Sequence, residues 1–297
     1  VQDAYLRLLD GTIHHLESLR DSGVAHVRVS PETLMALSSR PRPTAVPVSS
    51  TPPARSPAPV LTFPVRPVIS APPPPATAAP PAPVVSPGEK AAAISQLRER
   101  ALACQKCPNL AAARTQVVFG VGSIDADLMF VGEAPGADED LAGEPFVGKA
   151  GQLLTKIIQA MGLDRDHVYI ANILKCRPDT PGQASGNRKP TLAEMKTCSP
   201  YVLSQIDLIR PKVLVALGGT AVEGLLGNFT GIMRLRGNWQ TFRGIPVMPT
   251  YHPAFLLRNQ SMSEKRKVWE DMLKVMERLQ MPISEKQRGF FLKAAGQ

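Results

Sequence analysis

Seventeen of the chain's 30 prolines fall within the 48 residues 41–88, mixed with Ala, Val, Ser and Thr. Proline fixes φ and removes a backbone donor, so this stretch supports neither a helix interior nor a central strand. It favours the extended polyproline conformation and reads as a semi-rigid, disordered linker. The run Pro72–Pro75 would suit a proline-recognition module, but a plain spacer is the simpler reading. The tract divides the 297 residues into an N-terminal segment 1–40, the linker 41–88 and a main domain 89–297. In the first segment Leu6, Leu9, Ile13, Leu16 and Leu19 repeat at helical spacing. Ser30 and Pro31 offer the start of a second short helix through Leu37. Such a segment is too small to build a large core alone. It is expected to be a helical accessory element, docking on the main domain or on a partner protein.

Charge separates along the same boundary. Residues 1–88 carry 7 Lys and Arg against 5 Asp and Glu, so they hold +2 of the formal +9, and residues 89–297 hold the remaining +7. A basic folded part favours a polyanionic partner, because each phosphate contact releases condensed counterions. No apolar run is long enough to cross a bilayer. No basic stretch followed by an apolar core opens the sequence, so no signal peptide is expected. A cytoplasmic protein, nucleoid-associated in a bacterium, fits these features.

Within 89–297, apolar runs alternate with helical patterns. Ile94, Leu97 and Leu102 suggest a helix; Leu128–Val131 and Val168–Ile173 read as strands. Leu153, Leu154, Ile157 and Ile158 mark a helix after Gly151. Thr191 with Glu194 forms a capping box for a helix through about Ile209. Val213–Leu217 is the clearest strand, Ala221–Leu226 a helix, and Val247–Met248 a last strand. The strands lack polar alternation, as in a sheet buried on both faces. The expected fold class is α/β: a three-layer αβα sandwich with a central, mostly parallel sheet. Functional groups should then gather beyond the carboxyl ends of the strands.

The chain's four cysteines are Cys104, Cys107, Cys176 and Cys198. The first two form CxxC, which lets both sulfurs reach one centre. An α/β fold brings the other two to it from a strand end and a following helix. Four thiolates suit tetrahedral zinc or an iron–sulfur cluster, and spacing does not choose between them. A structural centre is simpler than an electron-transfer one, since no flavin or second-cluster motif accompanies it.

Three loops carry polar chemistry. VGEAPGADED, Val131–Asp140, places Gly132 and Gly136 where a backbone can approach a ligand, and Glu133 just after a strand. It lacks the full glycine pattern of a dinucleotide fingerprint or P-loop and equally fits an ordinary strand-to-helix turn. In GEPFVGKAG, Gly143–Gly151, Phe146 is either a stacking platform for a flat ligand or a core plug. Asn172 ends a strand, where an amide can read a base edge. His252 follows the last strand and precedes Pro253; it is placed to stabilise negative charge or transfer a proton, or to be a buried structural residue. Leu256 and Leu257 with Arg258 form an apolar wedge beside a cation, suited to a base stack and a phosphate.

Taken together, GEAPGADED, EPFVGKAGQLL, NILKCRP, NRKPTLAEMKTC and YHPAFLLRN closely resemble the family 4, iron–sulfur uracil-DNA glycosylases over about residues 92–280. The resemblance implies base excision repair: hydrolysis of the N-glycosidic bond of uracil in single- and double-stranded DNA, leaving an abasic site. It implies that Cys104, Cys107, Cys176 and Cys198 bind a largely structural [4Fe–4S] cluster. Glu133 and His252 would be catalytic. Gly132, Ala134, Gly136, Phe146, Asn172 and His252 would hold uracil, with Leu256, Leu257 and Arg258 on the DNA. Glu133 would activate water or stabilise a positive sugar. Residues 137–145 contain no basic insertion or histidine, which speaks against the superfamily subtype that bonds covalently to the abasic sugar. A monomeric glycosylase domain is expected. Rival readings are a relative acting on another deaminated base such as hypoxanthine or xanthine, a non-enzymatic nucleic-acid-binding module with a structural metal, and a redox enzyme using the cluster.

Overall fold

The computed structural model describes residues 87–178, 187–227 and 231–292, all within one compact unit, Thr77–Gln297. The N-terminal helices, nearly all of the linker and most of the 179–189 loop expected from sequence lie outside the described residues.

Six strands form one sheet in the order β1-β3-β2-β4-β6-β5. Their spans are β1 Val121–Gly122, β2 Leu128–Gly132, β3 Tyr169–Asn172, β4 Val213–Leu217, β5 Gln240–Phe242 and β6 Ile245–Thr250. The inner four, β3, β2, β4 and β6, run parallel, and β1 and β5 pair antiparallel at the edges. Short antiparallel edge strands blunt the exposed ladder of a parallel sheet.

Side chains alternate across this sheet with period two. Met129, Val131, Leu214, Ala216 and Val247 pack on one face with Leu97, Val202, Ile206 and Val222. Those partners belong to α1 (Pro87–Leu102), α5 (Leu192–Ile209) and α6 (Gly219–Leu226). Phe130, Ile170, Val215 and Met248 pack on the other face with Leu154, Ile158, Met272 and Met276. These come from α4 (Lys149–Ala160) and α9 (Met262–Arg278). The result is the three-layer αβα arrangement. Each fully buried aliphatic side chain contributes about 1.5–3 kcal/mol, so both layers are needed to offset chain entropy.

The Thr191–Glu194 capping box opens α5 as expected: Thr191 Oγ1 accepts the Glu194 N–H at 3.2 Å, and Glu194 Oε2 accepts the Thr191 N–H at 2.8 Å. Strand β6 is longer than the Val247–Met248 read from sequence. Pro246 and Pro249 lie inside it and obscure the strand pattern. The YHPAFLLRN segment is not all loop: Pro253–Arg258 forms a short helix, α8, with His252 as its N-cap. Three further short helices, α2 (Pro108–Ala113), α3 (Ala137–Ala142) and α7 (Ile232–Leu235), and a last one, α10 (Glu285–Arg288), complete the described elements.

Candidate active site

The carboxyl ends of β2, β3 and β6 open on one cleft, the place where a parallel α/β sheet concentrates loops and exposed backbone. It has a volume of about 330 Å³ and is lined by Glu133, Phe146, Asn172, His252 and Arg258, with Ala134–Gly136 at its edge. Glu133, Phe146, Asn172 and His252, widely separated in sequence, thus meet in one cavity.

Asn172 is the last residue of β3 and is 2% exposed. Its Oδ1 is the one buried side-chain nitrogen or oxygen without a hydrogen-bond partner among the described residues. Leaving such an acceptor unsatisfied costs about 1–3 kcal/mol. A fold retains that cost where a ligand supplies the donor. Gly132 lies in register beside Asn172 on β2. A Cβ here would collide with Asn172 Oδ1 and come within 2.5 Å of Phe146 Cζ, so a side chain at 132 would fill the space between them.

Phe146 has φ 56°, in the left-handed region that a bulky residue rarely adopts. Three groups hold it there. Glu139 Oε1 accepts the N–H groups of Val147 at 3.0 Å and Gly148 at 2.9 Å. Arg165 donates from Nη1 to the Phe146 carbonyl at 3.0 Å and from Nη2 to the Pro145 carbonyl at 2.7 Å. Gly151 lies so close beneath that any Cβ would strike the Phe146 backbone. The ring itself is 5% exposed and forms one wall of the cleft.

His252 caps α8, and its Nδ1 accepts the Ala254 N–H at 3.2 Å. An accepting Nδ1 places the proton of a neutral ring on Nε2. Desolvation by the packed surroundings, with a smaller push from Arg258, lowers the imidazole pKa from 6.5 to about 4. The ring is therefore a neutral Nε2–H donor at ordinary pH.

In the 132–136 loop, Pro135 has no N–H, and that of Gly136 is committed to Glu139 Oε2 at 3.0 Å. These two positions thus offer no backbone donor to a ligand. Glu133 is half-buried on the cleft wall, and its carbonyl accepts the Leu174 N–H at 3.1 Å. On α8, Leu256 is 4% exposed and packs with Tyr251 and Val268, whereas Leu257 is 37% exposed and Arg258 is exposed. Neighbouring helical residues point about 100° apart, so only Leu257 of the two leucines faces outward.

Sequence reasoning passed over Glu139 and Arg165, which hold Phe146, and Asn187 and Arg188, which line the cleft. Glu139 was hidden in an acidic run that reads as an ordinary helix start. Arg165 sits in a loop with no motif, and only the folded chain brings it to Phe146.

The four cysteines form no disulfide, and Cys176 and Cys198 are buried. They form a connected electrostatic neighbourhood: Cys107 feels Cys176 and Cys104, while Cys198 feels Cys176 and Cys107. Burial pushes the Cys198 thiol up to about 11, against the pull of the Lys175 N–H and ammonium. The Lys175 N–H donates to Cys198 Sγ at 3.2 Å, and Arg114 Nη1 to Cys176 Sγ at 3.2 Å. Donors aimed at buried sulfurs suit thiolates carrying negative charge. Among the described residues no three His, Cys, Asp or Glu side chains close around a single ion. The four side chains are an all-sulfur donor set, of the kind that zinc or an iron–sulfur cluster takes. Lys175, 1% exposed, also donates to the Asn172 carbonyl at 3.0 Å and to Gln205 Oε1 at 2.6 Å. One residue thus ties the cysteine centre to the strand end that carries Asn172.

Comparison with known proteins agrees with this geometry. The family model described as "Uracil DNA glycosylase superfamily" matches residues 119–273. A type-4 uracil-DNA glycosylase of Thermotoga maritima is 45% identical over 180 residues, covering 59% of this chain and 89% of the relative. One of Sulfurisphaera tokodaii is 41% identical over 195 residues, covering 63% and 84%. A type-5 uracil-DNA glycosylase of Pyrobaculum aerophilum is more distant, 29% identical over 188 residues, covering 52% and 80%. The chain belongs to the uracil DNA glycosylase superfamily, alongside its type-4 members.

Proposed function

We propose that this protein is a uracil-DNA glycosylase of base excision repair, hydrolysing the bond between uracil N1 and the deoxyribose C1′. The observation that carries the reading is the unpartnered Asn172 Oδ1, in a cleft also lined by an aromatic ring, Phe146, and a neutral histidine donor, His252. Uracil offers an N3–H to that oxygen and an O4 to the amide nitrogen. Cytosine presents an acceptor at N3 and a donor at N4, the inverse pattern, and leaves buried polar groups mismatched.

The glycosidic bond is out of reach within a duplex, so the nucleotide must leave the stack. Phe146 then receives the face of the base. As the bond breaks, its electron pair moves to uracil and charge grows on the ring oxygens. His252 Nε2–H meets that charge without giving up its proton first. Glu133 supplies negative charge on the opposite side, toward the sugar cation and the entering water. The water oxygen bonds to C1′, one water proton ends on uracil, and the products are free uracil and an abasic site. A preorganised donor of the His252 kind contributes about 10²–10³-fold.

The cysteine centre is read as the site of a [4Fe–4S] cluster on Cys104, Cys107, Cys176 and Cys198. When bound, such a group supplies a covalent tie between the α1–α2 turn, the end of β3 and α5. Leu257 and Arg258 are read as the DNA-intruding pair, on single and double strands alike. No helix among the described residues is long and apolar enough to cross a membrane, and a cytoplasmic protein, nucleoid-associated in a bacterium, is the location read here. Residues 1–40 are read as an accessory element that docks on the main domain or on a protein partner, residues 41–88 as a spacer, and the glycosylase domain as a monomer.

The test uses end-labelled oligonucleotides carrying one uracil, single-stranded and paired with guanine or adenine. Released uracil and alkali-labile strands are expected, with matched cytosine DNA untouched. Absence of uracil release on every substrate overturns the reading.

A further inference from the structure

The left-handed turn at Phe146 requires two kinds of restraint. Its following N–H groups are taken by Glu139 and its carbonyl side by Arg165. Arg165 lies between α4 and β3, outside the cleft lining, and touches none of Glu133, Asn172 or His252 through a hydrogen bond. Its guanidinium instead spans two consecutive carbonyls, those of Pro145 and Phe146, and approaches Thr155 Oγ1 at 3.4 Å. Thr155 in turn bonds the carbonyl of Gly151, the glycine beneath the Phe146 backbone. Two carbonyls in a row pointing at one fork is a geometry that only arginine satisfies, since lysine offers a single point charge.

We infer that Arg165 is a positioning residue for uracil recognition: its guanidinium locks the Pro145–Phe146 carbonyls and so fixes the plane on which the flipped base lands. The inference rests on the glycosylase reading. A backbone held at φ 56° relaxes toward the ordinary region when its restraint is removed. The aromatic plane then tilts with the backbone, while α8 and the strand ends keep their places.

This separates recognition of the base from recognition of the DNA. The Arg165→Ala variant should excise uracil about a hundredfold more slowly under single-turnover conditions, the size expected from a displacement of about 1 Å near the reacting atoms. Inhibition by free uracil should weaken in parallel. Affinity for an oligonucleotide with a stable abasic-site analogue, which has no base to stack, should stay within about twofold of the parent. Arg165→Lys should recover only part of the rate, and guanidinium added to Arg165→Ala at low millimolar concentration more than equimolar methylammonium. Equal losses for uracil-containing and abasic DNA would show a general structural role and overturn the inference, as would an unchanged rate. If Arg165→Ala fails to fold, Arg165→Lys with the same pair of oligonucleotides decides it. Failure of the parent protein to release uracil would instead sink the glycosylase reading, an outcome separable from these.

Discussion

The ring of Phe146 and the imidazole of His252 stand with centroids 5.5 Å apart and planes tilted by 31°. A base inserted between two rings needs about 3.4 Å on each side, the rise per base of duplex DNA. These two rings are too close to sandwich a pyrimidine. On the proposed reading the base stacks on Phe146 alone and meets His252 at its edge, where Nε2–H is an in-plane donor. Replacing His252 with alanine should slow uracil release about a hundredfold, and Glu133→Ala should do likewise, each measured by single-turnover kinetics on uracil DNA. Near-parental rates for both would remove these residues from the chemistry.

His252 also makes a prediction about pH. In the unfolded chain the imidazole protonates near 6.5, and in the folded chain near 4. Between those values the unfolded state binds more protons, so stability rises with pH across the window and falls as pH drops toward 4. Urea melts at pH 4.5 and 7.5 should show this slope, flattened in His252→Gln. The single-turnover rate should show no acid limb near 6.5, because the neutral donor persists well below it.

Asn172 should reveal a conflict between stability and function. Its unpartnered oxygen costs about 1–3 kcal/mol in the free protein. Asn172→Leu replaces the amide with an apolar side chain of similar shape and removes that cost. The variant should melt at least as high as the parent while losing uracil excision by more than about a hundredfold. A large drop in melting temperature would mean that the amide supports the fold instead.

Gly132→Ala tests the space between β2 and the cleft. The added methyl meets Phe146 Cζ at 2.5 Å and Cε2 at 2.7 Å. Overpacking of this kind costs about 1–3 kcal/mol. Excision should fall steeply and free uracil should no longer inhibit, with the melting temperature only moderately lowered.

Removing a sulfur ligand should act on stability before chemistry. Anaerobically purified protein should contain iron and acid-labile sulfide in near-equal amounts. Cys198→Ala should lose both and melt roughly 10 °C lower, if the centre contributes about 3 kcal/mol and each kcal/mol shifts the midpoint by about 2–4 °C. Zinc without sulfide in the parent would overturn the cluster assignment.

The sequence revealed most of what uniform physics dictates. Leu128–Val131 and Val213–Leu217 are continuous apolar runs because both faces of their strands are covered, and the structure places both at the sheet centre. Thr191 and Glu194 declared the start of α5 by a purely local hydrogen-bond exchange. The edge strands escaped notice because two or three residues carry no periodicity. Glu133, Phe146, Asn172 and His252 stood out because each breaks the pattern of its surroundings at a strand end or between glycines. Glu139 and Arg165 did not, since charged residues on short helices and loops normally face water. Their roles depend on a turn whose conformation no local signal announces.

The different burial of Leu256 and Leu257 bears on how such an enzyme changes over time. Leu256 is fastened into a small apolar cluster, so the short helix keeps its pose whatever its outer residue is. The outer position is therefore open to substitution: residue 257 is free to vary in length, stiffness or polarity while the helix beneath it remains seated. With Leu257 as the proposed DNA contact, preference among DNA contexts becomes adjustable at that point while the cleft stays as it is.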